Sequence, residues 1–60
     1  MKSSELHRLI QKNGWQKHRQ RGSHIIYIKD GILSKPVPYH GSNEVGHKTE
    51  KEVKREMGLK

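Results

Sequence analysis

Apolar residues recur along this chain in two rhythms. Near its start, Leu6, Leu9 and Ile10 stand at i, i+3 and i+4, the spacing of a buried stripe on an amphipathic helix. Ser3 or Ser4 supplies a capping oxygen ahead of that stripe, and Glu5 favours the positive end of the helix. Arg8, Gln11 and Lys12 fall on the outward side. Asn13-Gly14 is a strong stop, because glycine takes the left-handed geometry of a helix end without a side-chain clash. A helix this short is held by packing rather than by its own propensity.

The rhythm then changes to that of strands. Trp15 is the only tryptophan and the largest apolar surface available, and it is expected in the core. Residues 16–20 are polar and weak as a strand alone. The turn Arg21-Gly22-Ser23 and the stronger strand behind it make them plausible. Residues 24–29 carry three isoleucines and a tyrosine, the best strand signal in the chain. Alternation puts His24, Ile26 and Ile28 on one side and Ile25, Tyr27 and Lys29 on the other. Both sides are partly apolar, so the pattern alone leaves open which one meets the helices. Tyr27 is expected in the core. Asp30-Gly31 is a favoured two-residue hairpin turn. Residues 32–37 return as a third strand, interrupted by Pro36, which cannot donate to a ladder and suits an edge.

Residues 38–43 read as an ordered loop. Beyond it, Val45, Thr49, Val53 and Met57 recur every four residues and would share one helical face. Thr49 and Glu52 have capping-box spacing, which predicts a regular helix from near Thr49. Gly58 stops this helix, and Leu59 is placed to fold back onto its last turn. The predicted fold is α+β: helix, three antiparallel strands, helix, in one domain over residues 1–60. The simplest packing sets both helices on one face of the sheet and leaves the other open to a partner.

Composition narrows the function. A chain of 60 residues with 28% hydrophobic content buries little surface, so its stability margin is thin. The absence of cysteine excludes a disulfide framework and any cysteine-ligated metal. The longest apolar run, residues 25–28, is far too short to span a membrane. No apolar stretch follows Lys2, so the N-terminus does not read as a signal peptide, and cytoplasmic location is the expectation.

Charge narrows it further. The net charge is +7, unevenly spread. Residues 6–29 hold Arg8, Lys12, Lys17, Arg19, Arg21 and Lys29 with no acid, whereas five of the six acids lie at Asp30 or later. Such a surface fits a polyanion or an acidic protein. Lys17, Arg19 and Arg21 share one side if their strand is regular, and there they would track a phosphate backbone or meet acidic residues of a partner. Gly22 serves the turn. Ser23 either donates to a phosphate oxygen or satisfies the turn. Tyr39, beside a proline in a loop, is a candidate for base stacking.

Of the five histidines, His7, His18, His24, His40 and His47, any one taken blindly is an ordinary surface or part-buried residue. His24 differs because it follows a turn glycine in positive surroundings. A histidine there can move protons during phosphate chemistry. His40 is an intermediate candidate in its loop. No pair has the spacing of a helical zinc site, and neither metal nor cofactor is expected.

Several short motifs in a fixed order carry a resemblance. They are Met1-Lys2-Ser3-x-Glu5-Leu6, the Asn13-Gly14-Trp15 helix ending, Arg19-Gln20-Arg21-Gly22-Ser23-His24, Pro38-x-His40-Gly41 and Met57-Gly58-Leu59. Through most of its length the chain resembles the HicA-type toxins, small ribonucleases of toxin–antitoxin pairs. The resemblance implies a fold like that of a double-stranded-RNA-binding domain, with a three-stranded antiparallel sheet and both helices on one face. It implies a metal-independent endonuclease that cuts messenger RNA, with His24 as its catalytic residue. It also implies a HicB-type antitoxin partner that holds the toxin inactive. One departure is Lys48-Thr49-Glu50, where family members often carry Gly-Thr and then an apolar residue. Glu50 is expected to cost the second helix an apolar contact.

The leading expectation is therefore RNA cleavage by His24, with RNA bound through Lys17, Arg19, Arg21, Gly22, Ser23 and His40. Non-catalytic binding of double-stranded RNA is the alternative, since such binding reads shape more than sequence. A protein-binding domain matched only to an acidic partner is the third reading. The free chain is expected to be a monomer, because +7 on each copy opposes self-association. With its antitoxin it is expected to form a hetero-oligomer.

Overall fold

A computed structural model describes residues 1–60. Its elements run α1 (Ser3–Lys12), β1 (Gln16–Arg21), β2 (His24–Lys29), β3 (Ile32–Leu33), β4 (Val37–Pro38) and α2 (His47–Glu56). β2 is central. It pairs antiparallel with β1 on one side, and with β3 and then β4 on the other. The expected third strand is thus present as two short pieces. Leu33 lies opposite Ile28, and Val37 lies opposite Ile25. The third strand therefore holds one residue more than β2 does between those pairs, and the surplus is taken up at the break around Lys35 and Pro36.

Ile25 and Tyr27 face the helices. They join Leu6, Ile10, Trp15, Val37, Val53 and Met57 in a single buried cluster. Both helices contribute to that cluster, so both lie on the same side of the sheet. Only 10 of the 60 residues are buried, so each contact is a large share of the total. The Trp15 indole N–H donates to the Met57 carbonyl at 3.1 Å, which ties the entry of β1 to the end of α2. No helix is long and apolar enough to cross a membrane.

The buried stripe of α1 differs from the expected one. Ser3, Leu6, His7 and Ile10 are buried, at i, i+3, i+4 and i+7, while Leu9 is only partly covered. His7 therefore occupies a core position. Its Nε2 lies 2.8 Å from the Pro38 carbonyl, which can only accept, so this nitrogen carries the proton. Nδ1 is then the acceptor, and the Tyr27 hydroxyl donates to it across 2.6 Å. One ring joins α1 to both β2 and β4. Burial lowers the pKa of the His7 imidazole and raises that of the Tyr27 phenol.

Helix ends also depart from expectation in an instructive way. Lys2, not a serine, is the N-cap of α1. The Ser3 and Ser4 amides donate to the carbonyls of Asn43 and Gly41, each at 2.8 Å, and Glu5 accepts the Lys2 N–H at 2.9 Å. A distant loop thus satisfies the free N–H groups of the first turn, and no serine hydroxyl is needed there. Instead the Ser3 hydroxyl accepts the His40 N–H at 3.0 Å. α2 starts at His47 behind Gly46, so Thr49 lies inside the first turn. Its end matches expectation. Gly58 has φ 61°, Leu59 N–H reaches the Lys54 carbonyl, and Gly58 N–H reaches that of Arg55, the two bonds of a Schellman motif. Glu50 is partnered by Lys54 at 2.9 Å, one turn on.

Two predictions follow from this core. Trp15→Ala removes about 3–5 kcal/mol from a domain whose total is about 3–9 kcal/mol at the usual value per residue. Circular dichroism of this variant should show a largely unfolded chain, and a wild-type unfolding midpoint would contradict the anchoring role. The second concerns His7. The unfolded chain takes up a proton on this residue near about pH 6.5, while the folded state resists it. The stability from the neutral ring is therefore complete above that pH and declines as pH falls below it. Urea unfolding between about pH 7.5 and about pH 5.5 should show this loss. His7→Phe should cost about 1–3 kcal/mol at neutral pH and flatten the slope. An unchanged slope would remove His7 as its source.

Candidate active site

The turn joining β1 and β2 consists of Gly22 and Ser23 alone, with Arg21 and His24 as the facing pair. Gly22 has φ 59° and Ser23 stays out of the left-handed region, the pattern of a type II′ hairpin turn, which asks for glycine at its first central position. The Ser23 carbonyl accepts the Tyr39 N–H at 2.6 Å, and His24 pairs with Pro38 on its other side. The backbone of His24 is thus held from both edges, while its imidazole is exposed.

His24 lies on the sheet face opposite Ile25 and Tyr27, away from the helices. Alternation puts Ile26 and Ile28 there too, both only half-buried. From β1 come Arg19, paired with Ile26, and Arg21, paired with His24. Cross-strand partners share a face, so both guanidiniums flank the imidazole. A cleft of about 360 Å³ is lined by Arg19, Arg21, His24, Ile26 and Pro36. No carboxylate is among them, so nothing in the cleft neutralises its positive charge.

Lys17 is not part of this group. A β-bulge between Lys17 and Arg19 adds His18 as an extra residue, and Lys17 lies opposite Tyr27. That is the helix side of the sheet. The Lys17 ammonium accordingly reaches Gln20 at 2.7 Å, whose strand partner is Ile25. The expectation that Lys17 shares a side with Arg19 and Arg21 required a regular strand, and β1 is not regular.

The break in the third strand builds the opposite wall. Ser34 substitutes for the missing ladder contacts: its N–H donates to the Tyr27 carbonyl at 2.8 Å, and its Oγ accepts the Tyr27 N–H at 2.9 Å. That hydroxyl donates in turn to the Lys35 carbonyl. Lys35 turns toward α2 and pairs with Glu56 at 3.0 Å, and Pro36, at the sheet edge, borders the cleft beside His24 as well as a groove against α2. Sequence reasoning did not single out Ile26 or Pro36 for the site. Ile26 stands two residues from His24, which is a usable signal for a shared face, whereas Pro36 gave only the sign of an edge.

His40 lies elsewhere. It borders a separate cleft of about 160 Å³, with Ser3, Leu6, Val37, Pro38, Glu44, Val45, Gly46 and Thr49. That cleft shares no residue with the one around His24. Tyr39 packs edge-on against the His7 ring at 5.1 Å and is 39% exposed. No three His, Cys, Asp or Glu side chains gather in a group able to hold a metal ion.

A family model described as the HicA toxin of bacterial toxin–antitoxin matches residues 3–59. No curated protein and no solved structure gave a match. The family match takes in both helices, the whole sheet and the Gly22-Ser23-His24 turn, and the chain belongs to the HicA toxin family of bacterial toxin–antitoxin systems.

Proposed function

We propose that this chain is a metal-independent endoribonuclease that cuts messenger RNA, with His24 as the catalytic residue and a HicB-type antitoxin as its inhibitor. The observation that carries the reading is the exposed His24 imidazole standing with Arg19 and Arg21 in one cleft free of carboxylates. RNA brings its own nucleophile. The 2′-oxygen gives up its proton and attacks the adjacent phosphorus, and the bond to the 5′-oxygen breaks. The products are a 2′,3′-cyclic phosphate and a 5′-hydroxyl. His24 serves as the base that takes the first proton or as the acid that supplies the leaving oxygen. The two guanidiniums stabilise the charge that grows on the non-bridging oxygens. Gly22 leaves room for close approach of the backbone, and Ser23 offers a hydroxyl to a phosphate. Lys17 and His40, on other parts of the surface, serve as contacts to more distant phosphates. One imidazole and two arginines make a modest enzyme.

The same open face is the surface for an acidic antitoxin, which would block the cleft by covering it. Binding to the folded chain would also raise its apparent stability by mass action.

Two measurements test these readings. Purified protein incubated with labelled RNA in EDTA should yield cyclic-phosphate ends, and His24→Ala should lower the rate about 10²–10⁴-fold, the usual span for a general acid or base. Equal activity in the variant would remove His24 from the chemistry, and a gel shift with no change in RNA length over hours would favour simple binding. Light scattering should find the free chain monomeric, and a mixture with its cognate antitoxin, expected to be a small acidic protein encoded alongside, should form a stable complex. A free homodimer at physiological salt would overturn the first expectation, and an unassociated mixture the second.

A further inference from the structure

We propose that the cleft beside His24 is a subsite for one unstacked nucleobase next to the cleaved phosphate, which restricts the substrate to single-stranded RNA. The inference rests on the ribonuclease reading and deepens it.

The cleft is two-sided in its chemistry. Arg19, Arg21 and His24 form the polar side, and Ile26 and Pro36 form an apolar side within the same 360 Å³ space. That volume is within the range of small-molecule sites, which combine apolar walls with a few placed polar groups. The apolar side continues along the sheet through Ile28 and its strand partner Leu33, which is 55% exposed. A phosphate placed on the two guanidiniums brings its attached nucleoside within reach of this wall.

A double helix offers that wall only phosphates, sugars and base edges, because the flat faces of its bases are stacked inside. Aliphatic surface beside a phosphate site is matched instead by the flat apolar face of a base turned out of the stack. The usual aromatic platform for such a base is absent from this face. Trp15 and Tyr27 are buried on the helix side, and Tyr39 packs against His7. Ile26 and Pro36 are then the apolar surface of the cleft against which the base lies, beside the guanidiniums of Arg19 and Arg21. Pro36 is there because the third strand breaks at Lys35 and Pro36, which links an irregularity of the sheet to substrate choice.

The test uses a DNA oligonucleotide carrying a single ribonucleotide, so that one 2′-hydroxyl fixes the cleaved bond. Cleavage is compared with versions in which the base on either side of the scissile phosphate is replaced by an abasic residue. One of the two abasic strands should be cut about tenfold more slowly, a difference of about 1.4 kcal/mol. Ile26→Ala should slow cleavage of the intact strand by a similar factor, and the two changes together should cost no more than either alone. Pro36→Ala repeats the comparison from the other wall. Annealing the complementary strand should abolish cleavage. Equal cleavage of intact and abasic strands, or full cleavage of the duplex, would overturn the subsite while leaving the ribonuclease reading in place. Failure to cut these strands and the all-RNA strand of the same sequence would overturn both.

Discussion

A single imidazole in the core sets the relation between the first helix and the sheet. His7 is neutral, donates through Nε2 to the Pro38 carbonyl and accepts through Nδ1 from the Tyr27 hydroxyl. Each group would be costly to bury unpaired, and the three together leave no polar side-chain atom in the core without a partner. The bridge also reaches outward. Pro38 is the strand partner of His24, and the next residue, Tyr39, donates its N–H to Ser23 in the adjoining turn. The position of the exposed histidine is thus linked by two steps of backbone pairing to the buried one.

Two irregularities shape what the open face presents. The bulge in β1 withdraws Lys17 and leaves Arg19 and Arg21 beside His24. The break in the third strand sets Pro36 at the sheet edge opposite them, with the Ser34 hydroxyl taking over the bonding that a continuous ladder would have supplied. Bulges and strand breaks commonly redirect side chains next to functional sites. Here one lies on each flank of the central strand, and the cleft lies between them.

Much of this was legible in the sequence, and the exceptions have a common physical origin. Asp30-Gly31 was readable because a tight hairpin needs positive φ at both positions, and these residues have φ 52° and 78°. Trp15, Gly58 and Leu59 were readable from size and from local turn chemistry. Gly22-Ser23-His24 was readable as a turn into a strong strand, and the site role proposed for it rests on the family resemblance and on the exposed cleft around it. The bulge was not readable, because β1 is polar and exposed throughout and has no apolar alternation to fix its register. His7 does not stand out as a core residue because it is polar, although Ser3, Leu6 and Ile10 frame it at helical spacing. The satisfaction of the first turn by the carbonyls of Gly41 and Asn43 is invisible locally, since it joins segments far apart in the chain.

The sheet also works as a partition. Ile25, Tyr27 and Val37 face the small core, where a change of one methylene is felt. Along β2, His24 and Ile26 face away from it, alternating with those core residues, and Arg19 and Arg21 flank them from β1. Successive residues therefore answer to different demands, one to folding and the next to whatever the face meets. A lineage carrying this fold can rewrite the open face residue by residue at little cost in stability. In a toxin that must stay matched to its own antitoxin, such freedom lets paired surfaces drift together and become exclusive to one another while the scaffold stays the same.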